Sequence, residues 1–256
     1  MSARVIITGA ASGIGAATAA SLRERGAEVI GLDINADGED VLVCDVRDQR
    51  SVDRAVAEAI ERLDGLDVLI NCAGVGDPQS AGRPPADDAL RVIDINLLGP
   101  WRVTGAALPA LRASRGRVVN VASGLVHLTV PLAPAYCMSK RGLVAYSDAL
   151  RLEHGDEITV TTVYPGYIRT PIHDAAAAKG LSLEGAVPAE SLEDAARTLT
   201  SAALDSPKRD VATTRLGEIS YALLRFAPRR LLDWAVSRQF QRGGFEHSEL
   251  VVESED

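Results

Sequence analysis

The sequence predicts an α/β fold in which a doubly wound parallel sheet is covered by helices on both faces. Short, apolar, β-branched runs alternate with longer stretches of helical period along most of the chain. Several of these runs are apolar on both faces, as expected of a strand buried between two layers of helices. A chain of 256 residues is long for one domain, but α/β folds of this size often form a single core.

Six strands and five helices are predicted before the C-terminal region. The strands are expected at 4–8, 27–32, 40–44, 67–71, 117–123 and 158–164, and the helices at 13–25, 51–63, 87–113, 134–154 and 190–204. In this arrangement ligands bind at the carboxyl ends of the strands. We expect one domain, consisting of residues 1–204, which include a long lid-like loop at 165–190, and a helical C-terminal extension at 205–256.

Composition excludes several classes of function. The net charge of −8 and the pI near 5.1 disfavour a polyanionic partner, so nucleic acid is not expected. The cysteines and histidines are too scattered for a disulfide framework or a metal site; they are Cys44, Cys72, Cys137, His127, His154, His173 and His247. The N-terminus lacks the apolar region of a signal peptide, and no apolar run could cross a bilayer, so a cytoplasmic protein is expected.

A glycine-rich turn, TGAASGIG at 8–15, joins the first predicted strand to a helix. Glycine permits a tight turn and lets backbone N–H groups approach a pyrophosphate at a helix N-terminus. The spacing G-x-x-x-G-x-G differs from the general dinucleotide fingerprint, and a plain connection of small residues is the alternative. The position between a strand and a helix favours phosphate binding, with candidate contacts at Gly9, Ser12, Gly13, Ile14 and Gly15.

Asp33 ends the second predicted strand, 18 residues after Gly15. A carboxylate there can accept hydrogen bonds from both hydroxyls of an adenosine ribose and would repel a 2′-phosphate. Neither the neighbours of Asp33 nor Ala11 and Ser12 supply a cation for such a phosphate. A solvated aspartate at a strand end is the alternative, but the pattern favours NAD over NADP.

Two further strand ends carry small or polar residues. Asp45 and Val46 follow the third predicted strand and suit the amine and the ring face of adenine. Asn71, Ala73 and Gly74 follow the fourth, where small residues would allow close approach to a ribose. Either group alone could be ordinary turn chemistry. Their occurrence at successive strand ends favours a shared nucleotide site.

Tyr136 and Lys140 lie four residues apart at the start of a predicted helix and therefore share one face of it. A phenol needs about 4 kcal/mol of differential stabilisation to bring its pKa from 10 toward 7. A nearby ammonium and a cationic nicotinamide both favour the phenolate. The spacing alone requires only a shared face, so packing is the alternative interpretation.

Three other polar residues fall near the same sheet edge. Ser123 ends the fifth strand and could polarise a substrate carbonyl, although serine is also common in turns and helix caps. Asn96 lies within a predicted helix, where asparagine is unfavourable, so it either holds a water or is a satisfied buried amide. Thr170, in the turn PGYIRTP after the sixth strand, could bond a carboxamide.

Taken in order and spacing, these motifs resemble the short-chain dehydrogenase/reductase family, in its branch with a single Rossmann domain. The similarity covers residues 1 to about 200 and includes TGAASGIG, Asp33, CDV, NCAG, Asn96, Ser123, YCMSK and YPGYIRTP. It implies that Tyr136 is the acid/base and that Lys140 lowers its pKa and holds the nicotinamide ribose. It also implies that Ser123 orients the carbonyl, that Asn96 places a water in a proton relay, and that the cofactor contacts Pro165, Gly166, Ile168 and Thr170.

The C-terminal region departs from the usual family pattern, because the short glycine-rich ending of many members is missing. Residues 209–244 indicate a short strand followed by helical, basic and apolar segments. This tail resembles those of members that act on steroids, retinoids and other lipophilic alcohols. It could pack on its own domain or on a second subunit, cover an apolar pocket, or contact a membrane surface. The residues for a membrane contact would be Arg225, Arg229, Arg230, Trp234 and Arg238.

The resulting hypothesis is an NAD-dependent enzyme that interconverts a hydrophobic secondary alcohol, such as a steroid, and its ketone. Gly124, Leu125 and Leu128 after the candidate catalytic serine favour an apolar pocket. The alternatives are a biosynthetic ketoreductase that uses NADPH and a nucleotide-binding regulator without catalysis. A homodimer or a homotetramer is expected.

Overall fold

The computed structural model describes residues 2–36, 38–179, 181 and 189–242, apart from the side chains at 215, 222, 225 and 239–242. Residues 180 and 182–188 of the expected lid loop and 243–256 of the expected extension lie outside the described residues. So does the side chain of Arg225, one of the residues expected at a membrane contact.

The doubly wound parallel sheet is confirmed, and within the described residues it has seven strands in the order β3-β2-β1-β4-β5-β6-β7. All neighbouring strands are parallel. Their bounds are β1 Arg4–Thr8, β2 Glu28–Asp33, β3 Val41–Val43, β4 Val68–Asn71, β5 Arg117–Val121, β6 Thr159–Tyr164 and β7 Asp210–Ala212. The order reverses between β1 and β4, which places a crevice at their carboxyl ends.

The helices of the described residues are α1 Gly13–Glu24, α2 Gln49–Leu63, α3 Asp87–Ile93, α4 Gly99–Ser114, α5 Pro134–His154, α6 Asp174–Ala178, α7 Leu192–Leu204, α8 Arg215–Phe226 and α9 Arg229–Arg242. Of these, α1, α2, α4, α5 and α7 cover the two faces of the sheet. Short 3₁₀ turns lie at Gly124–Val126 and Pro171–His173. No helix in the described part of the chain is long and apolar enough to cross a bilayer.

Two apolar layers hold the helices to the sheet. On one face, Leu22 of α1 and Leu199 of α7 are fully buried against the strands. On the other, Val52 of α2 and Leu111 of α4 are equally buried. Each such side chain contributes about 1.5–3 kcal/mol on burial. Since both sheet faces are covered, most strand residues are buried, as the apolar runs in the sequence indicate.

The helix expected at 87–113 is instead divided by a π-helical turn at Asp94–Leu98. The N–H of Gly99 bonds the carbonyl of Asp94, five residues back. Pro100 explains the wider turn, because a proline ring collides with the carbonyl four residues earlier, here that of Asn96, and has no N–H to offer it. The division places Asn96 inside the irregular turn.

The C-terminal extension begins with a strand of the main sheet. β7 pairs with β6, with Val211 opposite Val163. The side chain of Thr214 then accepts a hydrogen bond from the N–H of Gly217 at 3.0 Å and caps α8. Sheet and extension are therefore joined directly, and α8 starts from the edge where the strands end.

Candidate active site

Close backbone packing shapes the phosphate turn between β1 and α1. A Cβ atom at Gly15 would overlap the carbonyl oxygen of Gly9 and lie 2.7 Å from its carbonyl carbon. Gly9 has a φ of +71°, and a Cβ atom added to it would lie only 2.8 Å from the Cα atom of Ala73. Ser12 precedes α1 without a side-chain capping bond. The N-terminus of α1 can therefore present backbone N–H groups to an anion.

Asp33 lies beside this turn, and its carboxylate is held by the backbone. One oxygen accepts the N–H of Ala11 and the other that of Asn35, each at 3.0 Å. Both oxygens retain lone pairs for further donors. The end of β2 therefore presents a fixed, partly exposed carboxylate to the cavity.

Arg47 is a cavity residue that sequence reasoning missed. Its guanidinium pairs with the carboxylate of Asp45 at 2.7 Å and lowers the pKa of that carboxyl. Asp45, Val46 and Arg47 all line the cavity next to Asp33. A cation two residues after Asp45 was the available signal in the sequence. The pairing leaves Asp45 less free to accept a hydrogen bond from adenine.

The residues at the end of β4 and just after it divide between the core and the cavity. Ala73 and Gly74 line the cavity, whereas the buried side chain of Asn71 points into the protein. The amide nitrogen of Asn71 donates to Thr104 at 3.0 Å and to Asn120 at 2.8 Å. Asn71 therefore joins β4 to β5 and α4, away from the cavity wall where we expected a cofactor contact.

Tyr136, Lys140 and Ser123 come together in the cavity. Tyr136 and Lys140 lie one turn apart on α5, and the Lys140 ammonium lies 5.8 Å from the centre of the Tyr136 ring. Lys140 donates to the carbonyl of Val121 at 2.9 Å. The hydroxyl of Ser123, just beyond the end of β5, hydrogen-bonds the phenol of Tyr136. This arrangement can hold an alcohol or carbonyl oxygen between two hydroxyl groups.

Burial dominates the protonation of this pair. It raises the pKa of the Tyr136 phenol, and the hydrogen bond from Ser123 opposes the shift. Burial also lowers the pKa of Lys140 to about 8. Both shifts disfavour the charged form of a group removed from water. The protein groups alone therefore do not produce the lowered phenol pKa that the sequence led us to expect.

Asn96 is fully buried behind the cavity. Its amide accepts the N–H of Val75 and donates to the carbonyl of Val75, both at 2.9 Å, with a further bond to Ser139 at 3.3 Å. A Cβ atom at Gly74 would lie 3.4 Å from the Asn96 amide oxygen and 3.5 Å from the Lys140 ammonium. Asn96 thus fixes the loop that passes Lys140. Pro100 has no N–H to offer the backbone carbonyl of Asn96.

The turn after β6 closes the other side of the cavity. Pro165, Gly166, Ile168 and Thr170 all line it, and the carbonyl of Pro165 accepts the N–H of Gly124 at 2.8 Å. Glu190, which we did not single out from the sequence, accepts the N–H of Gly166 at 2.9 Å. In the sequence Glu190 is only the first residue of a predicted helix, so its role depends on the tertiary structure.

These elements enclose one continuous cavity of about 1720 Å³. The part beyond Tyr136 is mainly apolar. Its wall is formed by apolar residues of the segment between β5 and α5 and of the two C-terminal helices. They are Leu125, Leu128, Val130 and Leu132 from the first, and Leu216, Tyr221, Leu224, Leu232 and Val236 from α8 and α9. The extension therefore contributes one wall of the site. In the described part of the chain no three His, Cys, Asp or Glu side chains are grouped as a metal site would require.

A nucleotide-type crevice joined to a Tyr–Lys–Ser cluster defines a class of dinucleotide-dependent oxidoreductases. A family model described as short chain dehydrogenase matches residues 3–180. Oxidoreductase UcpA of Escherichia coli K12 is 33% identical over 232 residues, which are 84% of this chain and 84% of that protein. Retinol dehydrogenase 5 of Homo sapiens is 37% identical over 185 residues, covering 66% of this chain and 57% of that protein.

Among solved structures, a short chain dehydrogenase from Burkholderia cenocepacia in complex with NADP has the same fold. Its TM-score is 0.76 at 24% identity, covering 92% of this chain and 98% of that chain. The chain belongs to the short-chain dehydrogenase/reductase family. It is therefore an oxidoreductase that acts on CH–OH groups of small molecules with a nicotinamide dinucleotide, NAD or NADP.

Proposed function

We propose that this protein is an NAD-dependent dehydrogenase that interconverts a hydrophobic secondary alcohol and its ketone. The observation that carries the proposal is the cavity itself, in which Tyr136, Ser123 and Lys140 stand between a nucleotide crevice and a mainly apolar compartment. A lipophilic alcohol, such as a steroid, would bury its apolar surface there and leave its hydroxyl at Tyr136.

In this proposal the bound nicotinamide ring supplies the hydride acceptor. Tyr136 takes the proton of the alcohol, and the hydroxyl of Ser123 holds the same oxygen in place. The ammonium of Lys140 favours the phenolate and can bond a ribose hydroxyl. The carbonyl of Asn96 holds a water that carries the proton onward. Burial opposes the phenolate, so positive charge beside Tyr136 has to outweigh it.

The preference for NAD rests on Asp33. Its carboxylate is fixed by the N–H groups of Ala11 and Asn35, where it can accept both ribose hydroxyls and repel a 2′-phosphate. Arg47 is the observation that favours the alternative, an NADPH-dependent ketoreductase, because it places a cation in the same part of the cavity. Its pairing with Asp45 reduces that attraction.

A substrate screen tests the proposal. Purified protein is offered secondary alcohols of increasing apolar size, including steroids, with NAD and separately with NADP, and the absorbance of the reduced cofactor is followed. We expect a higher kcat/KM with NAD and a rise in kcat/KM with apolar size. Ketone reduction that requires NADPH would favour the ketoreductase. Dinucleotide binding without turnover would favour a nucleotide-binding regulator.

The extension also suggests a peripheral contact with an anionic membrane. Residues 215–242 contain six arginines and two acidic residues in a chain whose net charge is −8. The same segment carries exposed apolar side chains at Leu216, Ile219, Leu223, Phe226 and Trp234. A segment that combines exposed apolar side chains with an excess of arginine in its sequence suits the surface of an anionic bilayer. Co-sedimentation with anionic vesicles, but not with neutral ones, tests this contact.

We further propose a cytoplasmic homodimer or homotetramer in which residues 1–204 and 205–256 form one domain. The pairing of β7 with β6 supports the single domain. Trp101 on α4 is 59% exposed and stacks on Tyr146 of α5, which gives an apolar face for a second subunit. The three cysteines are unpaired, as in a reducing compartment. Light scattering of the purified protein tests the oligomeric state.

A further inference from the structure

A phenol from the C-terminal extension lies directly against the loop that follows Ser123. Tyr221 is on α8 and lines the cavity. A Cβ atom at Gly124 would overlap its hydroxyl and lie 2.6 Å from its Cζ and 2.9 Å from its Cε1. The contact can form only because residue 124 is glycine. It places the phenol of Tyr221 against the residue that directly follows Ser123.

The ring of Tyr221 is held in place from the sheet side. Its centre lies 5.2 Å from that of His127 and 6.4 Å from that of Tyr164. Tyr164 ends β6, is buried, and donates its hydroxyl to Asp210 of β7 at 2.7 Å. Aromatic rings at these separations attract one another. Tyr221 is therefore packed on a cluster that the central sheet fixes.

Glu190 holds the start of α8 against the turn after β6. Its carboxylate accepts the N–H of Gly166 and the hydroxyls of Thr213 and Thr214. Thr214 is also the residue that caps α8. Burial and the charge of Glu190 raise the pKa of Tyr221 to about 12, so its hydroxyl stays neutral at physiological pH. Tyr221 therefore lines the apolar part of the cavity as a neutral aromatic ring in a fixed position.

We propose that Tyr221 determines substrate specificity by limiting the size of one substituent on the carbinol carbon. This inference rests on the proposed function and deepens it. A substituent on the side of Gly124 meets the ring of Tyr221 and must be small, such as a methyl group. The larger substituent extends along the apolar wall formed by residues such as Leu128, Leu224 and Leu232. The preferred substrates are therefore lipophilic alcohols with one small and one large substituent.

Matched substrates test this role. The two alcohols of each pair share one large apolar group. One member carries a methyl group as its second substituent, and the other carries a branched butyl group. We expect Tyr221→Ala to raise kcat/KM for the branched member relative to the methyl member by about tenfold or more. Tyr221→Phe keeps the ring and should keep the wild-type ratio. Leu223→Ala, on the exposed side of the same helix, is the control for general disturbance of α8.

An unchanged ratio in a folded and active Tyr221→Ala protein would overturn the inference and leave the proposed function intact. A wild-type enzyme that oxidises no alcohol of the panel would overturn the proposed function and the specificity role with it. A change in kcat/KM that is equal for both members of each pair also contradicts the inference, because it indicates a structural role without size selection.

Thermal unfolding tests the contact without any substrate. Gly124→Ala forces a methyl group into the phenol and should lower the melting temperature. The double variant Gly124→Ala/Tyr221→Ala should melt close to Tyr221→Ala alone, because the collision is removed. Additive losses in the double variant would show that Tyr221 does not occupy the space beside Gly124, and the specificity role would then have no geometric basis.

Discussion

The ammonium of Lys140 donates to the carbonyl of Val121 at 2.9 Å, while the ring centre of Tyr136 lies 5.8 Å away. The buried cation is thus attached to the end of β5. The hydrogen bond to the phenol of Tyr136 comes from Ser123 instead. Removing the charge of Lys140 and removing the hydroxyl of Tyr136 should therefore have separable consequences.

Lys140→Met should change how stability depends on pH. Burial lowers the pKa of Lys140 from 10.5 to about 8, so between these values the unfolded chain binds more protons than the folded protein. This group therefore adds stability as pH rises through that window, by at most about 1.4 kcal/mol per pH unit. Lys140→Met lacks this contribution.

Urea unfolding of both proteins without cofactor at pH 7.5, 8.5 and 9.5 measures the difference. The free energy of unfolding of the variant, relative to wild type, should fall as pH rises. A constant difference between the two proteins would show that Lys140 keeps its ordinary pKa in the folded state.

Tyr136→Phe should remove the acid/base and leave dinucleotide binding near the wild-type level. Loss of a positioned proton acceptor costs about 10²–10⁴-fold in kcat. Tyr146→Phe is the matched control, since Tyr146 lies on the same helix and hydrogen-bonds Thr104. Steady-state kinetics and a cofactor titration check both variants. Wild-type turnover in Tyr136→Phe would disprove the assignment.

Gly15→Ala should damage the phosphate turn, because the new methyl group meets the carbonyl of Gly9. Overpacking of this kind lowers the free energy of unfolding by about 1–3 kcal/mol. The affinity for the dinucleotide should fall as well, because the turn that holds its phosphates is distorted. Gly105→Ala in α4 adds the same methyl group at a position where nothing outside the local helix backbone lies within 4 Å. In that control the free energy of unfolding should rise by about 0.5–1 kcal/mol, because alanine is favoured over glycine inside a helix. Urea unfolding and fluorescence titration with reduced cofactor distinguish the two.

Asp33→Asn should weaken discrimination between the two dinucleotides. The substitution removes the charge that repels a 2′-phosphate, so the ratio of kcat/KM for NADP to that for NAD should rise about tenfold or more. Asp40→Asn is the control, because the Asp40 side chain is 66% exposed and faces Arg23. If both variants keep the wild-type ratio, another residue sets the cofactor preference, and Arg47 is then the first to test.

The local features of the site were predictable from the sequence because each depends on a few neighbouring residues. The glycine turn needs only its strand, its helix and the small residues between them. Tyr136 and Lys140 needed only helical spacing to share a face. Asn71 was not predictable in the same way, because β4 is buried on both faces and its apolar pattern does not show which side chains turn toward the crevice.

The order of strands and helices along the chain, the phosphate turn and the shared helix face of Tyr136 and Lys140 follow from hydrophobic period and residue spacing, so they can be predicted from the sequence. The hydrogen bonds of Glu190 and the approach of Tyr221 to Gly124 depend instead on contacts between residues far apart in the chain. Tyr221 and Gly124 are almost a hundred residues apart in the chain. They meet because β7 pairs with the edge of the sheet and starts α8 beside the loop that follows Ser123.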